Sequence, residues 1–144
     1  MRHLVAYEAD LAEEKLAAVL RDILDTPVSP ELLPAVNGEI SQKTEDLVGP
    51  YELHDFFLWY ALRRGFSPRK VMRLAKHAFG RRYDAATLKK WLQNFYRRFF
   101  TQQFKRSCLP DGPAVGSLSL SPRGGLVMPS DAASSLWWDE ACGL

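Results

Sequence analysis

Between Pro50 and Phe99, apolar residues return at helical spacing in three consecutive stripes, separated by chain-breaking signals. Leu53, Phe56, Phe57, Tyr60 and Ala61 stand at i, i+3, i+4, i+7 and i+8, the pattern of a helix with one buried face. Pro50 suits the first position of that helix and Gly65 its end. Ser67 as N-cap and Pro68 as first residue open a second helix. Val71, Leu74, Ala75 and Ala78 carry its inner face to Gly80. Asp84 can cap a third helix, whose inner face is Leu88, Trp91, Leu92, Phe95 and Phe99. Three stripes that face inward together enclose a core of their own. The expectation is a mainly α chain with a three-helix block over 50–106.

The flanks differ from this block. Residues 10–22 read as one amphipathic helix, with Leu11, Leu16, Val19, Leu20 and Ile23 near one face. Ile23 to Thr26 lead into Pro27, Pro30 and Pro34, which make 27–34 a loop. The polar stretch 35–49 contains Asn37-Gly38, a turn signal. After Cys108, Pro110, Pro113, Pro122 and Pro129 alternate with Gly112, Gly116, Gly124 and Gly125, so an extended loop is expected. Ser130 or Asp131 could cap a short terminal helix carrying Leu136, Trp137 and Trp138, which need a partner surface. The segments are therefore 1–49, 50–106 and 107–144.

The net charge of +2 conceals an asymmetry. Residues 1–49 hold four basic and ten acidic side chains, 50–106 fourteen and three, and 107–144 one and four. A block so basic attracts polyanions, or is a solvated surface neutralised by the acidic first segment. Cys108 and Cys142 suit a reduced cytoplasmic protein better than a disulfide scaffold, and their spacing matches no zinc pattern. No apolar run approaches the roughly 18 residues of a membrane span, and the N-terminus carries no signal-peptide pattern.

Three constellations could carry chemistry. Phe99 to Pro110 places aromatic side chains beside Lys105 and Arg106. That arrangement binds phosphate and stacks on a base, or else places favourable cations at a helix C-terminus. Ser41 to Asp46 holds the adjacent carboxylates Glu45 and Asp46, which suit Mg²⁺ or a ribose hydroxyl, or a solvated helix entrance. Ser29 lies between Pro27 and Pro30 in a stiffened turn that could present its hydroxyl. His3, His54 and His77 have no partner at ligand spacing, and neither a Ser/His/Asp arrangement nor a phosphate-binding Gly-rich loop is present.

Consecutive segments resemble the NAD⁺ synthetases that use glutamine. They are Asp25 to Leu32, Gln42 to Asp46, Gly49 to Phe57, Phe95 to Phe100, Gln103 to Pro110, Leu120 to Gly124 and Met128 to Ala132. The resemblance implies a helical C-terminal segment of an α/β synthetase domain of the ATP-pyrophosphatase type. Residues 23–26 would then be an edge strand. In that family a nitrilase-like domain releases ammonia from glutamine. The synthetase domain adenylates deamido-NAD⁺ with ATP and Mg²⁺, and ammonia displaces AMP. By this resemblance Ser29 contacts ATP and Lys105 contacts deamido-NAD⁺. Phe104 stands where ammonia-dependent relatives have histidine, and Glu45 lies in the loop near the dinucleotide. The family's Ser-Gly-Gly-x-Asp-Ser phosphate loop and its glutaminase domain have no counterpart in these residues. The implied partners are therefore the rest of the synthetase and the glutaminase domain, in a homo-oligomer. The chain alone is expected to be inactive, and no catalytic or metal residue is assigned to it. The alternative is a small basic helical module that binds nucleic acid, since three helices with a short second turn resemble a helix-turn-helix layout.

Overall fold

A computed structural model of the chain describes residues 2–26, 44–110, 112 and 116–144. It divides into two compact units, Met1–Leu47 and Val48–Leu144.

In the first unit, α1 (Arg2–Leu11) and α2 (Glu14–Asp25) fold back on one another. Ala9 and Ala17 are the buried side chains, and residues that small let two helix backbones approach closely. The far ends are tied by Arg2, whose Nη2 donates to the Leu24 carbonyl at 2.6 Å. The single helix expected over 10–22 is thus two, broken at Ala12 and Glu13. The edge strand expected at 23–26 is also corrected, because Ile23, Leu24 and Asp25 are the last turn of α2. A strand needs a neighbour to satisfy its backbone, whereas a helix satisfies its own. No strand occurs among the described residues. A short helix, α3 (Thr44–Val48), reaches the boundary between the units.

The second unit contains the three inward stripes. They lie on α4 (Tyr51–Leu58) with a π turn at Trp59–Arg63, on α5 (Pro68–Phe79) and on α6 (Ala85–Thr101). Leu53, Phe57, Val71, Ala75, Leu88, Leu92 and Phe95 are buried together. Phe57 and Phe95 sit 5.7 Å apart, and Phe56 meets Phe79 edge-on at 5.1 Å. Met72 and Tyr96 are buried as well, while Ala78 is exposed. The π turn ends where Phe66 N–H donates to the Tyr60 carbonyl at 3.0 Å, with Gly65 at φ 64 between them. That left-handed residue is the reason for glycine there. Asp84 caps α6 by accepting from Thr87 N–H at 2.8 Å. Ser67 stands at the N-cap of α5 but makes no side-chain cap bond. Glu140 supplies one instead, accepting from Arg69 N–H at 3.0 Å.

Glu140 belongs to α8 (Ser135–Cys142), so the tail packs with the three-helix block. Ala141 is buried in the shared core, Gln93 donates to its carbonyl at 3.1 Å, and Trp137 packs on Phe100 at 5.0 Å. Between α7 (Gln103–Ser107) and α8 the described chain is irregular. It is pinned where Arg123 Nη1 donates to the Leu109 carbonyl at 2.5 Å.

Candidate functional site

The α6 helix stops at Gln102, whose non-helical backbone still donates to the Arg98 and Phe100 carbonyls. The chain restarts at once as α7, and this break turns the neighbouring side chains in different directions. Gln103 faces inward and is only 1% exposed. Phe104 and Lys105 face solvent. Arg106 folds back over the Phe99 ring, 4.2 Å from its centroid. Its Nη2 donates to the Phe99 carbonyl at 2.5 Å and also meets Gln103 Oε1. Burial lowers the Arg106 pKa from its ordinary value, but a guanidinium remains protonated at neutral pH.

A cavity of about 240 Å³ opens beside this break. Its polar wall is His54, Arg98, Gln102, Lys105 and Arg106, and Phe95, Phe99 and Leu120 give apolar surface. No carboxylate lines it among the described residues. His54 is fixed by a bond between Nε2 and the Val48 carbonyl, and its ring meets Phe95 edge-on at 6.1 Å. Three cations around one small cavity suit a phosphate or carboxylate ligand.

A larger cavity of about 730 Å³ lies between the π turn, α6 and the tail. Phe66, Tyr96, Phe99, Phe100 and Trp137 wall it, and Glu140 is its one charged lining residue among those described. Apolar walls with a single carboxylate disfavour an anionic ligand, so size does not make this cavity the better candidate.

No family model matches the chain. A protein of Mycobacterium bovis (strain ATCC BAA-935 / AF2122/97) named "Glutamine-dependent NAD(+) synthetase" is 39% identical over 160 residues, covering 97% of this chain and 23% of that protein. A protein of the same name from Mycobacterium leprae (strain TN) is 40% identical over 146 residues, covering 89% of this chain and 22% of its own length. The chain is homologous to a C-terminal stretch of the glutamine-dependent NAD(+) synthetases. It spans less than a quarter of the length of these relatives.

Within this synthetase homologue, Lys105 lines the cationic cavity. Phe104, in the next position, is 54% exposed and is not part of that lining. Glu45 is exposed on α3, in the other compact unit. Ser29 lies outside the described residues. The structure adds Arg98, His54 and Gln102 to the cavity wall, which motif reading left without a role.

Proposed function

We propose that this chain forms part of the deamido-NAD⁺ side of a synthetase that amidates deamido-NAD⁺ to NAD⁺. ATP would activate the nicotinate carboxylate as an adenylate, and ammonia from glutamine would displace AMP. The observation that carries the reading is Lys105, the residue implied to contact the dinucleotide, in a cavity wall with two arginines and, among the described residues, no carboxylate. Cations placed before binding stabilise an anionic substrate and hold it for attack. Phe104, exposed on the same short helix, would stack on a ring of the dinucleotide outside the cavity.

Ser29 as an ATP contact and Glu45 as a neighbour of the dinucleotide belong to this reading. Among the described residues no group of three or more His, Cys, Asp or Glu side chains could hold a metal ion. Mg²⁺ is given no ligand among the described residues, and no step is routed through it. The rest of the α/β synthetase domain and a glutaminase domain would complete the site, in a cytoplasmic homo-oligomer. No described helix is long and apolar enough to cross a membrane.

The test has two arms. Purified chain given deamido-NAD⁺, ATP, Mg²⁺ and ammonia should form no NAD⁺, and turnover would overturn its incompleteness. The same chain should bind deamido-NAD⁺ saturably, and absence of binding would overturn the dinucleotide assignment.

One observation favours a second reading. Arg69, Lys70, Arg73, Lys76 and His77 stand exposed on α5 at helical spacing. If this stripe holds nucleic acid, duplex DNA will bind with an affinity that falls steeply with salt. DNA binding that leaves deamido-NAD⁺ without effect would favour this reading over the first.

A further inference from the structure

Cations at a helix C-terminus ordinarily serve the helix, since they neutralise its carbonyls. At the end of α6 other groups already bond several of those carbonyls. The Arg97 carbonyl accepts from Thr101 Oγ1 at 2.9 Å, the Arg98 and Phe100 carbonyls from Gln102 N–H, and the Phe99 carbonyl from Arg106 at 2.5 Å. Arg106 is thereby committed. It is stacked on Phe99, bonded to a carbonyl and braced by the buried Gln103. The Arg98 guanidinium and the Lys105 ammonium have no hydrogen-bond or ionic partner among the described residues. Both line the same cavity. Neither charge is bonded to the helix end, and the described residues that line the cavity include no acid.

We infer that Arg98 is a second ligand-binding cation, and that Arg98 and Lys105 together grip a diphosphate group. This deepens the proposed function and rests on it for the source of the diphosphate. A cavity of about 240 Å³ has room for a group of that size. Arg98 offers a planar fork and Lys105 a compact point charge, so one can hold two phosphate oxygens while the other takes the remaining charge. The nucleoside groups esterified to the diphosphate would leave through the open side of the cavity.

The test is binding of inorganic pyrophosphate, and separately of deamido-NAD⁺, to the full chain at low ionic strength by titration calorimetry. The variants are R98A, K105A and, as control, R97A. Arg97 is exposed on the same helix turn and does not line the cavity, so R97A removes equal charge without touching the site. R98A and K105A should each weaken both ligands about tenfold, the worth of one charge-assisted hydrogen bond, while R97A stays within about twofold. If R98A binds pyrophosphate as R97A does, the inference is overturned. The dinucleotide reading survives that result if K105A still weakens deamido-NAD⁺. Arg98-dependent pyrophosphate binding without deamido-NAD⁺ binding supports the cation pair and overturns the dinucleotide reading. Binding of neither ligand overturns both. Should R98A lose its helical circular dichroism, R98Q, which keeps a polar side chain of similar reach, replaces it with the same expected loss.

Discussion

Replacing Gly49 with alanine separates two costs that usually occur together. Gly49 has φ 94, a region in which L side chains are strained, and it precedes Pro50, the N-cap of the helix that carries the first stripe. A Cβ there would come within 2.5 Å of Trp91 Cδ2 and 2.6 Å of Cε3. The backbone conformation costs about 1–2 kcal/mol for a residue with a Cβ, and forcing the indole aside costs about 1–3 kcal/mol. Gly49→Ala should therefore destabilise by about 2–5 kcal/mol, a large part of the roughly 5–15 kcal/mol that holds a domain folded. Gly65 provides the control, because it has φ 64 and nothing lies within 4 Å of an added Cβ. Gly65→Ala should cost only the backbone part, about 1–2 kcal/mol. Urea unfolding followed by tryptophan fluorescence reads both. Equal losses for the two variants would refute the steric contact with Trp91. A loss at Gly49 below about 0.5 kcal/mol, the scale of an indifferent surface change, would refute both parts.

Other consequences follow from single groups. The buried Tyr96 hydroxyl has no hydrogen-bond partner, so Tyr96→Phe should be neutral or stabilising by up to about 1 kcal/mol in thermal melts, and a larger loss would mean that the hydroxyl is satisfied. Burial first, and then Glu140, raise the Tyr96 pKa, so the phenol ionises more readily in the unfolded chain. Stability should accordingly fall as pH rises past the ordinary tyrosine value, and Tyr96→Phe should flatten that fall in urea midpoints. Hydrogen bonds from Thr87 lower the Asp84 pKa, so its stabilisation is present above the ordinary carboxylate range and is lost in acid. Asp84→Ala should thus be less stable than the natural chain at neutral pH and indistinguishable at low pH. Leu16, Val19 and Ile23 are each more than half exposed on α2, so the chain should self-associate in size-exclusion chromatography, and Leu16→Glu with Ile23→Glu should reduce this.

The helical stripes were legible because burial on one face imposes a period, and Leu53, Phe57, Val71, Ala75, Leu88, Leu92 and Phe95 obey it. The N-cap of α6 was legible for the same local reason, since Asp84 acts three residues away. The cap of α5 was not, because Glu140 reaches it from 71 residues along the chain. The division of α1 from α2 was hidden too. Leu11, Leu16 and Ile23 mimic one continuous stripe, whereas the packed residues are the small Ala9 and Ala17. At the candidate site, Lys105 was singled out through a motif. The distinction between a committed Arg106 and an unpartnered Arg98 needed three dimensions, because it depends on which side chain folds back onto Phe99.

In the proposed function, Lys105 meets the dinucleotide in the cavity beside the α6–α7 break. A crystal structure of the chain soaked with deamido-NAD⁺ tests it most directly. The expected result is density for the dinucleotide's anionic groups within hydrogen-bond distance of Lys105 Nζ. Ordered dinucleotide elsewhere on the chain, with that cavity empty, would contradict it.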